Sequence, residues 1–132
     1  AQVHGKYVPL FIKIAPDLTP EEVNGIAESL IKSEMDGVIA TNTTLDREAV
    51  QGLEHANEAG GLSGEVLVNQ SQLITEQLHT ALNGKMPIIG VGGIHDIASA
   101  KARMAAGAEL IQVYSSFIYQ GPALVKQLVE GL

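Results

Sequence analysis

The apolar positions of this chain gather into four short runs, VPLFIKIAP (8–16), GVIATN (37–42), PIIGVGGI (87–94) and LIQVYSSF (110–117). Each run is followed by a segment in which apolar residues recur every three or four positions, so the chain reads as four successive βα units. Runs that are apolar on both faces and joined by helices predict a parallel sheet. The first helix has a defined start: Thr19 as N-cap, Pro20 at the first helical position and Glu22 completing a capping box. Its stripe of Val23, Ile26, Ala27, Leu30 and Ile31 should be buried, with Glu28, Lys32 and Glu34 outside. The third helix is expected between Asp96 and Gly107, with Ile97, Ala100, Met104 and Ala105 inward. The last opens after Gly121–Pro122 with Leu124, Val125, Leu128 and Val129.

Two closed architectures suit such a pattern, an open doubly wound sheet or a (β/α)8 barrel, for which about 250 residues is typical. Four units in 132 residues make half of a barrel. Half a barrel has two raw parallel edges, so the other half is expected from further sequence or from another chain. The chain starts with Ala and enters a strand-like run almost at once, which reads as a piece of something longer. One connection breaks the regular spacing: more than twenty residues lie between Thr44 and a helix starting near Val68. Its GGLSG (60–64) and flanking hydrophobics predict an ordered loop, and long loops at strand C-termini are where barrels place their function.

Composition narrows the function classes. At 45% hydrophobic and 17% charged residues the chain is globular, and a net charge of −7 argues against a nucleic-acid footprint or direct attraction to an anionic membrane. No run of 18 apolar residues occurs. Cysteine is absent, which removes disulfides and thiolate chemistry, and tryptophan is absent too, so the core must be aliphatic.

The segment GVGGI (90–94) invites a phosphate. A dinucleotide fingerprint fails, because His95 stands where the third glycine belongs, and no Gly-Lys-Ser/Thr of a P-loop occurs. If the last two strands are the seventh and eighth of a barrel, their turns form the usual barrel phosphate site. The N–H groups of Gly92, Gly93, Tyr114 and Ser115 then hold the anion without a lysine. Plain tight packing is the competing reading of these glycines. In LFIKIAP, alternation puts Phe11, Lys13 and Ala15 on one face and Leu10, Ile12 and Ile14 on the other. The aliphatic set suits helices, so Lys13 should point into the barrel near its mouth. A buried ammonium there needs an anion, unless the side chain snorkels to solvent. Thr41, Asn42, Thr43 and Thr44 offer neutral donors and acceptors for the edge of a planar ligand, or cap the strand end with local turns. His4, His55, His79 and His95 show no metal-binding spacing and no Ser-His-Asp set is evident, so no metal is expected.

These motifs together resemble the C-terminal half of the quinone-linked, class 2 dihydroorotate dehydrogenases. KIAPDLT, DGVIATNTT, GGLSG, PIIGVGGI and AAGAELIQVYSSFIYQGP follow in the family's order over nearly the whole sequence. The resemblance implies that residues 1–132 are the C-terminal half of a single FMN-binding (β/α)8 barrel domain. It implies an oxidoreductase that converts dihydroorotate to orotate in pyrimidine synthesis and passes electrons to a quinone. Lys13 would lie beside the flavin ring, where a positive charge stabilises the reduced anionic form. Thr41, Gly64, Gly93, Tyr114 and Ser115 match cofactor contacts, and Asn42 with Thr43 match residues binding orotate. The resemblance places the general base, a serine, in the other half of the barrel, so Ser63 is not assigned that role and the segment alone is expected to be inactive. Quinone access and peripheral membrane contact, on the cytoplasmic side of the inner membrane in bacterial relatives, belong to N-terminal helices outside this sequence.

Two rivals remain at the level of residues. One is another phosphate-binding barrel enzyme, such as an aldolase with Lys13 as Schiff-base nucleophile. The other is a non-catalytic phosphate-binding half-barrel.

Overall fold

The computed structural model describes residues 5–132; His4 lies outside the described residues. Its core is a four-stranded parallel sheet in the order β1 (Phe11–Ile14), β2 (Gly37–Ala40), β3 (Ile88–Val91), β4 (Leu110–Gln112). Helices α1 (Pro20–Lys32), α2 (Val68–Leu82) and α3 (Ile97–Ala105) connect the strands, and α4 (Ser115–Gln120) and α5 (Pro122–Gly131) follow β4. Each strand pairs with the next in sequence and the order never reverses. A doubly wound sheet reverses at its switch point, whereas right-handed crossovers that always advance stay on one side. The chain is therefore four consecutive βα units of a barrel wall, as the pattern of apolar runs predicts.

Register assigns the two faces. Ile14, Ala40, Gly90 and Ile111 are level with one another, as are Lys13, Ile39, Ile89 and Leu110 one step earlier. The first row faces the helices. Ile14, Val38, Ala40 and Ile88 are buried in one cluster with Val23, Ala27 and Leu30 of α1 and Ile74, Leu78 and Leu82 of α2. Ile94, Ala100, Leu124 and Leu128 form a second cluster under α3 and α5. The other face carries Lys13 and is open, because four strands turn through only part of a closed wall.

Local chemistry explains where the helices begin. The Thr19 hydroxyl accepts from the Glu22 N–H at 3.3 Å while the Glu22 carboxylate accepts from the Thr19 N–H at 2.8 Å. Asp96 and Ser99 repeat the device at α3, and the Ser99 hydroxyl and amide hold the Asp96 carboxyl below its usual value. We expect Thr19→Ala to cost about 1 kcal/mol of unfolding free energy, the ordinary value of a lost N-cap, read by urea titration. An effect below the error of that titration would show that α1 is held by its apolar stripe alone.

The face expected for α3 needs correction. Ile97 and Ala105 are exposed and Met104 is half-buried, whereas Ala100 and Arg103 are buried. Gly90 makes this possible: a Cβ there would lie 2.5 Å from Arg103 Cγ, so the bare strand position gives the arginine its room. Of the α5 stripe, Leu124 and Leu128 are buried while Val125 and Val129 are exposed. Leu10 and Ile12 at the β1 edge and Leu110 at the β4 edge are exposed as well. Both sheet edges thus carry exposed apolar side chains, where a closed barrel would add strands.

Candidate functional site

A cavity of about 940 Å³ opens at the C-terminal ends of the strands. Its wall includes Lys13 from β1, Thr41, Asn42 and Thr43 after β2, Gly64 from the long loop, Gly93 after β3, and Tyr114 and Ser115 after β4. These eight residues are thus brought to one place by four different βα units, whereas Thr44, offered with them from the sequence, is buried with its hydroxyl on Asp17 and is not part of the wall. A volume of this size is at the upper end of what small-molecule sites enclose.

The floor is set by β1 and β2. Lys13 is exposed on the open face of the sheet. The expectation of a buried ammonium is therefore not met, because among the described residues no strand lies across from β1 to shut off solvent. The direction predicted by alternation does hold, since Lys13 lines the cavity and does not turn back among the helices. Thr41 is 1% exposed; its hydroxyl lies 2.6 Å from Ser71 Oγ and donates to the Asn42 carbonyl at 3.0 Å. Its N–H donates to the Val91 carbonyl at 2.8 Å and that of Asn42 to the Ile14 carbonyl at 2.7 Å, carrying the sheet ladder past the strand ends. Asn42 Oδ1 accepts from the Thr43 N–H at 2.9 Å, a local contact of the kind that caps strand ends, and Asn42 lines the cavity.

The long loop is ordered by polar bonds. Thr44 and Leu62 exchange two backbone hydrogen bonds, of 3.0 and 2.8 Å, closing the loop at its base. Arg47 donates to the carbonyls of Thr44, Asp46 and Gly60. Asp17, after β1, accepts from the Thr44 hydroxyl, from the Leu45 N–H at 2.9 Å and from Gln70 Nε2 at 3.0 Å. Partial burial pushes the Asp17 carboxyl up, but these three donors and the nearby Arg47 outweigh it and hold the group below the ordinary carboxylate value. A 3₁₀ turn at Glu65–Leu67 then leads directly into α2. Ser63 Oγ lies 3.0 Å from Ser115 Oγ, so the GGLSG segment touches the turn after β4.

The two turns at the far end of the cavity are adjacent and tied together. Val91 and Gln112 are register partners, so the glycines after β3 and Tyr114–Ser115 after β4 emerge side by side. Ser116 Oγ donates to the Ile94 carbonyl at 2.6 Å and Gln120 Nε2 to the His95 carbonyl at 2.8 Å. Gly92 and Gly93 have φ of 108° and 76°, backbone that side chains resist. The packing reading of these glycines also has substance. A Cβ on Gly93 would press against the Val68 backbone nitrogen, with Val68 Cα at 2.7 Å, and one on Gly92 would meet Ser71 Oγ at 2.5 Å.

Two residues near these turns carry no functional signal in the sequence. His95 lines the cavity with Nδ1 2.8 Å from the Gly93 carbonyl and Nε2 3.7 Å from Glu65. Arg103 lies beneath the turn with its guanidinium on backbone carbonyls. His55 and His79 are exposed, and no group of three or more metal-binding side chains exists among the described residues. No helix among them is long and apolar enough to cross a membrane.

The sequence matches the family model for dihydroorotate dehydrogenase over residues 1–132. It is 58% identical over 132 residues to the dihydroorotate dehydrogenase (quinone) of Vibrio parahaemolyticus, covering all of this chain and 39% of that protein. The protein of the same name from Shewanella sp. strain ANA-3 is 58% identical over 131 residues, again with 39% of its length covered. Among solved structures, Eimeria tenella DHODH in complex with ferulenol superposes with a TM-score of 0.90 at 40% identity, over 96% of this chain and 34% of that one. The chain thus spans about two-fifths of the length of the curated relatives it matches.

Proposed function

The chain belongs to the dihydroorotate dehydrogenase family, on its quinone-linked branch, and from that membership we propose that its cavity holds FMN and one side of dihydroorotate. Residues 1–132 then act as the C-terminal half of one FMN-binding barrel domain, and the exposed apolar edges pack against the rest of the barrel. The carrying observation is that Lys13, Thr41, Asn42, Thr43, Gly64, Gly93, Tyr114 and Ser115 line a single cavity at the strand C-termini.

The residues present suit the cofactor. The turns after β3 and β4 supply backbone N–H groups for a phosphate at one end, and Lys13 supplies a cation on the floor at the other. Thr41, locked on Ser71, gives a rigid neutral wall, and Asn42 and Thr43 present amide and hydroxyl groups for the hydrogen-bonding edge of a pyrimidine. Gly64 leaves the loop side free of a side chain at the wall. The chemistry that bound FMN would supply at this wall is hydride acceptance from dihydroorotate and electron transfer to a quinone. Lys13 keeps a positive charge facing the region where negative charge accumulates, and the turns hold the phosphate end still so that the reacting edges stay aligned. The general base, the quinone path and the membrane contact on the cytoplasmic face of the inner membrane fall to parts outside these 132 residues, which alone do not turn over.

The test uses the completed protein, in which the chain is joined to the part of the Vibrio parahaemolyticus relative that it does not span. It should purify with the visible absorption of FMN, bleach anaerobically when dihydroorotate is added and regain its colour with a quinone. A colourless protein that binds no added FMN would reject the reading.

A further inference from the structure

Arg103 carries a charge that the proposed chemistry has not used. It is 2% exposed, and among the described residues no carboxylate pairs with it. Its Nη1 donates to the Val91 carbonyl at 3.1 Å, and its Nη2 to the Gly92 carbonyl at 3.0 Å and to the Val68 carbonyl at 3.2 Å. Nε has no partner. Burial pulls the guanidinium down to about 10, which leaves it charged at neutral pH. An apolar side chain of similar volume would fill this space without the desolvation penalty of an unpaired cation.

The three carbonyls show what the cation does. In a planar trans peptide the N–H points away from the C=O. Arg103 captures the oxygen ends of the Val91–Gly92 and Gly92–Gly93 peptides, so the N–H ends of Gly92 and Gly93 are turned to the opposite side. Both glycines line the cavity. The third contact, to Val68, fixes the turn against the first residue of α2. The Val91 carbonyl also accepts from the Thr41 N–H at 2.8 Å, so the sheet ladder shares in holding the Val91–Gly92 plane, whereas the Gly92–Gly93 plane, between two glycines of wide torsional freedom, is held at its oxygen by Arg103. We propose that Arg103 is a positioning residue for a phosphate anion at the turns after β3 and β4: it aims two amide donors at the anion and adds a positive field from behind them. Lys13 and His95 are the basic side chains in the cavity wall among the described residues, Arg103 lying behind it, and Lys13 comes from β1, the far edge of the sheet.

The inference rests on the phosphate reading of this cavity, and the test separates the two. The completed protein, stripped of flavin, is titrated with FMN and with riboflavin, which lacks the phosphate. The unsubstituted protein should prefer FMN. Arg103→Met should weaken FMN about tenfold, the equivalent of one charge-assisted hydrogen bond, and leave riboflavin unchanged. Arg103→Lys should fall between them, because a point donor keeps the charge but cannot span three carbonyls. If Arg103→Met retains the full FMN-to-riboflavin ratio, whatever its melting temperature, the role of Arg103 is overturned while the phosphate site stands. If Arg103→Met does not fold, Arg103→Lys decides, and an unaltered ratio there overturns the clamp. No preference for FMN in the unsubstituted protein would remove the phosphate site itself.

Discussion

Lys13→Ala in the completed protein is expected to slow flavin reduction by dihydroorotate about 10²–10³-fold, the usual effect of removing one group aimed at developing charge. Bound FMN should remain within a few-fold of normal, since the turns proposed to hold its phosphate lie at the other end of the cavity. β1 alternation sends Lys13 to the open face, level with Ile39 and Ile89, and aliphatic neighbours there lower the local dielectric once the barrel closes over them. An ammonium in that setting acts at full strength on negative charge formed nearby. Stopped-flow bleaching under anaerobic conditions reads the effect, and unaltered reduction kinetics would take away the role given to Lys13. Borohydride trapping of a carbonyl substrate on Lys13 would instead favour the Schiff-base alternative.

Gly93→Val should destabilise the protein by about 2–6 kcal/mol, summing left-handed backbone strain and overpacking, and should abolish FMN retention. The physical cause differs from the one the sequence suggests. A side chain at Gly93 does not first meet a ligand; it meets the backbone of Val68, at the junction of the 3₁₀ turn with α2. The turn would have to separate from α2, and the Arg103 contacts to Val68 and Gly92 would go with it. Gly84 supplies the control, with φ of 74° and nothing within 4 Å of the Cβ position. Gly84→Ala should cost only about 1 kcal/mol, from strain alone. Equal losses at the two positions in thermal unfolding would show that packing against Val68 contributes nothing.

Much of this architecture is legible in the chain. Apolar runs alternating with helical stripes define four βα units, and the Thr19–Glu22 box marks the start of α1 to the residue. The cavity residues were legible for a related reason: in a parallel barrel wall every strand C-terminus faces the same mouth, so motifs far apart in sequence must converge. Arg103 was not legible because a charged residue on an amphipathic helix is normally assigned to solvent. The spacing carried a signal all the same, since Arg103 lies three residues after Ala100 on the buried stripe and opposite a strand glycine. The sequence places Thr41 at the mouth, yet its hydroxyl is held inside by Ser71, thirty positions away, a partnership that no local pattern encodes. Val125 and Val129 on α5 and Leu110 on β4 are exposed, apolar positions that find no cover among the described residues.

A crystal structure of the completed protein, purified without added flavin, bears most directly on the central claim. The account predicts FMN density with the phosphate against Gly92–Gly93 and Tyr114–Ser115 and the ring over Lys13. Flavin bound elsewhere, or a phosphate group remote from both turns, would contradict it.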